Sequence, residues 1–210
     1  MENKYAVMVV DDDSSLLKMA GNILSGTYEV SYAKSGDAAL ALLESDYLPD
    51  IILLDIEMPG LNGFETLVKL RELEDTKGIP VVFLTGVNTE QAEVQGLNFG
   101  AVDYIKKPFV REILLARLKV HLENGRRLRK IARAERDKMD SLIDKAKFEK
   151  ETAVLTDTEK KMALLIARGY NNRDIADALH YTYGYVRKVV SVIYEKKGVS
   201  KRGELKNLFT

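Results

Sequence analysis

The chain has 210 residues, 46% of them hydrophobic, which suffices for one large or two small cores. It has no cysteine, excluding a disulfide, a thiol nucleophile and a thiolate zinc site, and its two histidines, His121 and His180, are too far apart in sequence to suggest an imidazole metal cluster. Net charge is zero but uneven: residues 1–122 carry 11 Lys and Arg against 19 Asp and Glu, residues 123–153 carry 10 against 7, and residues 154–210 carry 11 against 6. An acidic front module and a basic rear one, a candidate for polyanion binding, are therefore expected.

Met1-Glu2-Asn3-Lys4 leads into apolar residues and then three aspartates, which is neither a signal peptide nor a membrane span. With the absence of cysteine, this predicts a cytoplasmic protein with no membrane partner. Residues 5–10 read as a buried strand, with Asp11, Asp12 and Asp13 at its carboxyl end. Asp13 or Ser14 can cap a helix running to about Leu24. A second strand follows at 28–33 and a helix at 36–45. Ile51-Ile52-Leu53-Leu54 is the pattern of a central strand buried on both faces. It ends at Asp55, before the loop of Pro59, Gly60 and Gly63 and a helix from about Phe64 to Leu73. A fourth strand, 80–84, ends in Thr85-Gly86, and a helix is predicted over Glu90–Asn98. A fifth strand, 102–105, meets Lys106-Lys107-Pro108-Phe109, which opens a last helix. Five strands alternating with five helices predict a doubly wound parallel sheet.

Ligands of such sheets bind at the carboxyl ends of the strands. An aspartate there is often only a turn or helix cap, but unrelated caps would have to explain Asp11, Asp12, Asp55, Thr85 and Lys107 together. Carboxylates gathered at adjacent strand ends repel by about 4 kcal/mol per pair at 4 Å and an effective dielectric of 20. Protons or a hard cation must resolve that, and an oxygen-only ligand set favours Mg²⁺. A hydroxyl and an ammonium beside it would complete a cradle for a phosphoryl group on Asp55.

The segments Val-Val-Asp-Asp-Asp, Leu-Leu-Asp-Ile-Glu-Met-Pro-Gly-x-x-Gly, Phe-Leu-Thr-Gly and Asp-Tyr-Ile-Lys-Lys-Pro-Phe resemble the receiver domain of two-component response regulators over residues 4–122. The resemblance implies a flavodoxin-like sheet, Asp55 as phosphoacceptor from a sensor histidine kinase, and a Mg²⁺ site at Asp11, Asp12, Asp55 and the Glu57 backbone carbonyl. It also implies Thr85 and Lys107 as phosphoryl contacts, Thr85 and Tyr104 as the switch pair, and a cis bond at Lys107-Pro108. Such a domain catalyses its own phosphoryl transfer without being a conventional enzyme. Gly86 departs mildly from the family's usual alanine. Haloacid-dehalogenase phosphatases need a second aspartate where Glu57 stands, and a dinucleotide-binding domain needs a glycine-rich turn where Asp11-Asp12-Asp13 stands.

Over 123–153, Leu128, Ala132, Glu135, Met139, Leu142, Ala146, Glu149 and Ala153 repeat at alternating spacings of four and three. This predicts either a weak coiled coil or a solitary charged helix with i,i+4 pairs. No proline follows Pro108, so one unbroken rod from Val110 to Thr152, roughly 65 Å long, is expected.

Beyond it, a helix capped by Thr156 or Thr158 and stopped at Gly169, a second capped by Asn172, and a third from Tyr183 to Lys196 make a helix-turn-helix pattern. The motifs Leu-Thr-x-x-Glu, Ile-Ala-x-Gly, Asn-x-Asp-Ile-Ala and Lys-x-Gly-Val-x-x-Arg-x-Glu-Leu resemble the LuxR-type output domain of the NarL/FixJ class over residues 154–208. That resemblance implies double-stranded DNA as partner, read by Thr182, Tyr183, Tyr185, Arg187, Lys188 and Ser191, with Arg173 on phosphate. Tyr185, Val189 and Lys197 depart from the family pattern, Tyr185 replacing a small hydroxyl residue that typically meets phosphate. The expectation is a DNA-binding regulator that homodimerises on phosphorylation or through the linker; the alternative is a module that binds protein.

Overall fold

The computed structural model describes residues 4–44, 48–86, 99–137 and 143–209. The helix predicted at Glu90–Asn98 and the seam positions Met139 and Leu142 lie outside the described residues. Two compact units are present, Met1–Arg126 and Arg127–Thr210.

The first unit is an all-parallel, five-stranded α/β sheet. Its strands are β1 (Ala6–Val10), β2 (Glu29–Ala33), β3 (Ile51–Asp55), β4 (Val81–Thr85) and β5 (Asp103–Lys106), in the spatial order β2-β1-β3-β4-β5 of a flavodoxin-like fold. Helices α1 (Ser14–Leu24), α2 (Gly36–Glu44) and α3 (Gly63–Glu72) connect them, and α4 (Arg111–Asp137) follows β5. Alternation along each strand sorts the core into two layers. Val7, Val9, Ile51, Leu53, Val82 and Leu84 face α1 and the Leu114, Leu118 and Leu122 stripe of α4. Met8, Val10, Ile52, Leu54, Val81 and Phe83 face the other way, toward Ala39, Leu43, Leu67 and Leu70 of α2 and α3. β3 and β4 are buried throughout, which is why they read as unbroken apolar runs.

β1 is the strand at which the order reverses, with β2 on one side and β3 on the other. The crevice at that switch point lies between the carboxyl ends of β1 and β3, where Asp11 and Asp55 stand. Helix α3 comes very close to it: a Cβ on Gly63 would sit 2.2 Å from the Asp55 carbonyl oxygen, so only glycine fits there. Gly60, at φ +77°, turns the intervening loop through the left-handed region. Asn62 then closes a capping box with Glu65, each side chain accepting the other residue's backbone N–H at 2.9 and 3.0 Å.

The second unit contains the end of α4, then α5 (Lys145–Glu151), α6 (Asp157–Ala167), α7 (Asn172–Leu179), α8 (Tyr183–Lys197) and α9 (Arg202–Asn207). The unbroken rod is not found. Asp144 has extended dihedrals and its carboxylate accepts the Lys147 N–H, so a new helix starts there. Phe148 explains why: it is buried in the second unit's core with its ring 5.0 Å from that of Phe209. Ile143 packs on the same core, so the two residues occupy the positions of a hydrophobic staple around the cap. Burial of Phe148 outweighs the weak seam.

Thr156 caps α6 in a box with Glu159. Asn171, not Asn172, caps α7; Asn172 is instead buried and accepts a hydrogen bond from Arg202 at 3.0 Å. Thr182 caps α8, and Gly198 ends it in the left-handed region. Among the described residues no helix is long and apolar enough to cross a membrane.

Candidate functional site

Asp11, immediately after β1, is fully buried, and its Oδ1 accepts the Asp13 N–H at 2.9 Å. Asp12 beside it is exposed. Asp55 ends β3 and is 3% exposed. Each of the three carboxylates presents an oxygen within 4.8 Å of the other two. The loop after β5 brings in Lys107, whose Nζ lies 2.8 Å from Asp55 Oδ1 and 2.7 Å from Asp11 Oδ2. The second contact is a charge pairing rather than a well-aimed hydrogen bond.

Burial pushes the Asp55 carboxyl above its ordinary range, with the Asp11 charge adding to the rise. Lys107 and the Glu57 backbone N–H pull the other way without cancelling it. For Lys107, burial favours the neutral amine but is outweighed by the two carboxylates, so its pKa lies above the usual lysine value. One ammonium against three carboxylates leaves the cluster anionic, and every other donor in it is oxygen.

Thr85 closes β4, the strand next to β3, and is buried; its carbonyl accepts the Lys107 N–H at 2.8 Å. Thr85 therefore helps fix the loop that carries the ammonium. The Lys107-Pro108 bond is cis, as the resemblance implied. Tyr104 lies on β5 opposite Phe83, half-buried against the layer that faces α2 and α3. Asp11, Asp12, Asp55 and Lys107 thus meet directly, Thr85 stands at the adjoining strand end, and the Glu57 side chain points to solvent while its backbone serves the site.

Sequence reasoning missed one further ionic cluster. Asp103, at the start of β5, is held by Arg117 Nη1 at 2.6 and 2.8 Å and by His121 Nε2 at 2.9 Å. The spacing of Arg117 and His121, one helical turn apart on α4, was the available signal.

In the second unit, Val186, Val190 and Ile193 recur at helical spacing and are buried, which turns the opposite face of α8 outward. Lys188 and Ser191 are exposed, whereas Tyr183 and Arg187 are half-buried, as is Arg173 on α7. The Ser191 hydroxyl donates to the Arg187 carbonyl at 3.1 Å. The Thr182 hydroxyl accepts the Tyr185 N–H, so its first duty is the cap. Lys197 pairs with Glu151 of α5 at 2.8 Å, an anchor for the helix that carries Phe148. Lys196 bonds both carboxylate oxygens of Glu159 at 2.8 Å, holding that carboxyl below its usual range and tying α8 to the start of α6. Arg136, near the end of α4, pairs with Asp174 at the start of α7 and lies over the Tyr170 ring.

A switch-point crevice holding two buried aspartates, an exposed third and a bridging lysine defines a receiver module. The family model described as "Response regulator receiver domain" matches residues 7–119, and the chain belongs to that family. It is 36% identical over 124 residues to the "Probable cyclic di-GMP phosphodiesterase" of Vibrio cholerae, covering 59% of this chain and 28% of that protein. The chain thus spans about a quarter of the length of the first curated relatives it matches. The "Probable transcriptional regulator ycf29" of Porphyra purpurea is 30% identical over 204 residues, with 94% of this chain and 91% of the relative covered. Among solved structures, response regulator StyR matches with a TM-score of 0.51 and 29% identity over 98% of both chains.

Proposed function

We propose that the chain is a cytoplasmic, DNA-binding response regulator of a two-component system, phosphorylated on Asp55 by a sensor histidine kinase. The observation that carries this reading is the Lys107 ammonium held between Asp55 and Asp11 at the switch point. In the reaction an Asp55 carboxylate oxygen attacks the phosphorus of a phosphohistidine, and the P–N bond breaks toward the leaving imidazole. Lys107, already charged and aimed, stabilises the phosphoryl oxygens, and the Thr85 hydroxyl supplies a further donor. Asp11, Asp12, Asp55 and the Glu57 carbonyl suit Mg²⁺, because their hard oxygen donors form an anionic cluster that one lysine does not neutralise. When bound, the ion supplies charge neutralisation of the transferring group. Tyr104 acts with Thr85 as the switch that reports the modification.

In the same reading α7 and α8 form a LuxR-type helix-turn-helix. α8 enters the major groove through Tyr183, Tyr185, Arg187, Lys188 and Ser191, with Thr182 holding its first turn and Arg173 on phosphate. Similarity along almost the whole chain to a protein named a probable transcriptional regulator supports this output. Dimerisation of the phosphorylated form would pair two reading helices, and exposed Leu128 and Ile131 on α4 offer an apolar contact for it.

The test is phosphoryl labelling from a small-molecule donor with Mg²⁺. An acid-stable, base-labile gain of one phosphoryl group is expected on the Asp55 peptide, and none in Asp55→Ala. Undiminished labelling of that variant would refute the assignment. The second reading, a C-terminal module that binds protein, draws on the exposed Tyr181, Tyr185 and Val192. A steep salt dependence of binding to duplex DNA separates the two.

A further inference from the structure

The outward side of α8 is more apolar than phosphate recognition requires. Tyr181, in the turn before the helix, and Tyr185, in its first turn, are 42% and 45% exposed. Their rings pack together with centroids 4.9 Å apart at 53°, a tilted pair that fixes each ring against the other. Neither ring belongs to the core, which the same helix fills from its other side with Val186, Val190 and Ile193. Positions 185, 188, 189 and 192 recur at helical spacing. They make a stripe of an aromatic ring, the exposed Lys188, the half-buried Val189 and the exposed Val192.

An apolar stripe of this kind needs an occupant. Residues 154–210 carry 11 Lys and Arg against 6 Asp and Glu, and two of these cations, Arg187 and Lys188, are embedded in or beside the stripe. That favours a polyanion over an apolar protein surface. The one apolar feature on base edges in the major groove is the 5-methyl group of thymine.

We infer that Tyr185, braced by Tyr181 and continued by Val192, reads thymine methyl groups, so that the preferred duplex carries thymines opposite the first turns of α8. This rests on the DNA-binding reading above. It gives a role to Tyr185 at a position where a small hydroxyl residue would only meet phosphate.

The experiment selects a preferred duplex from a random pool with the full-length chain, then replaces each thymine in it by deoxyuridine. That change removes only the methyl and keeps the pairing. Binding should fall about fourfold for each methyl that is read, the factor expected for one buried carbon. Tyr185→Phe should keep this sensitivity, and Tyr185→Ala should lose it at the positions concerned. A selected site indifferent to deoxyuridine overturns the inference while leaving DNA binding intact. So does equal sensitivity in wild type and Tyr185→Ala. A pool that yields no enriched sequence and no salt-dependent binding overturns the DNA-binding reading, and this inference with it.

Discussion

The receiver unit and the C-terminal unit place the charges proposed to carry their functions in opposite surroundings. In the receiver the decisive groups are withdrawn from water: Asp11 is wholly buried, Asp55 is nearly so, and Lys107 is 14% exposed. In the C-terminal unit the ion pairs Glu159–Lys196 and Glu151–Lys197 brace the scaffold, Lys197 being as withdrawn as Lys107, while Lys188, proposed to meet DNA, is exposed on α8. Phosphoryl chemistry needs charges that are preorganised and desolvated, because a low dielectric makes each worth more. Recognition of a polyanion needs charges that reach a partner and release its counterions. A charge at the receiver's switch point therefore costs more stability than one on the exposed face of α8.

The sharpest way to break that contrast is Lys107→Met. It leaves Asp11 and Asp55 buried beside each other without their cation, and removing one partner of a buried ionic arrangement costs roughly 3–5 kcal/mol. Urea unfolding of the receiver should show this loss, and millimolar Mg²⁺ should restore part of it by binding the folded carboxylates. Lys196→Met, which strips Glu159 of a more exposed partner, should move the C-terminal transition far less. Equal losses in the two units would mean that burial of the receiver charges has no special cost.

The receiver was largely legible in the sequence for the same physical reason. Strands buried on both faces must be written as continuous apolar runs, so Ile51–Leu54 announces itself and Asp55 stands out as the residue that ends it. What the run does not encode is that Lys107 touches Asp11 as well as Asp55; that depends on how β1, β3 and β5 are ordered across the sheet. The expectation of an unbroken rod misled for the opposite reason. A repeat built on Ala146, Glu149 and Ala153 is a weak signal, and the single large residue Phe148 decides the matter by burial. Asp144 followed by Phe148, with Ile143 before the cap, was a readable staple, although it competes with the longer heptad pattern. The Asn171-Asn172 pair could not be resolved from sequence, since either can cap and the choice falls to Arg202, which takes Asn172.

A second prediction sharpens the exposed half of the contrast. If α8 reads bases, Arg187→Ala weakens binding to the selected duplex by about 1–3 kcal/mol and relaxes preference at one position, as loss of a bidentate guanine contact does. Fluorescence anisotropy on the selected duplex and on base-substituted versions checks it. An equal cost on every sequence would make Arg187 a backbone contact, moving specificity toward the tyrosine pair.

The smallest effect should come from a receiver cluster lying between the two extremes. Asp103 is half-buried, Arg117 beside it is 45% exposed, and His121 Nε2 and the Tyr104 backbone N–H also reach the carboxylate. Burial alone would raise this carboxyl. The His121 and Arg117 contacts outweigh it, so its folded pKa lies below the ordinary value. A carboxyl depressed on folding contributes stability that is fully present above its unfolded pKa, about 3.9. That contribution is lost as pH falls through the lower folded value. With Arg117 so open to solvent, it should be no more than about 1 kcal/mol. Unfolding midpoints of wild type and Asp103→Asn should therefore differ modestly near neutral pH and converge in the acid range. A gap that stays constant down to the lowest pH at which the receiver is folded would place the stabilisation in neutral hydrogen bonds, and the cluster would then behave like the scaffold pairs of the C-terminal unit.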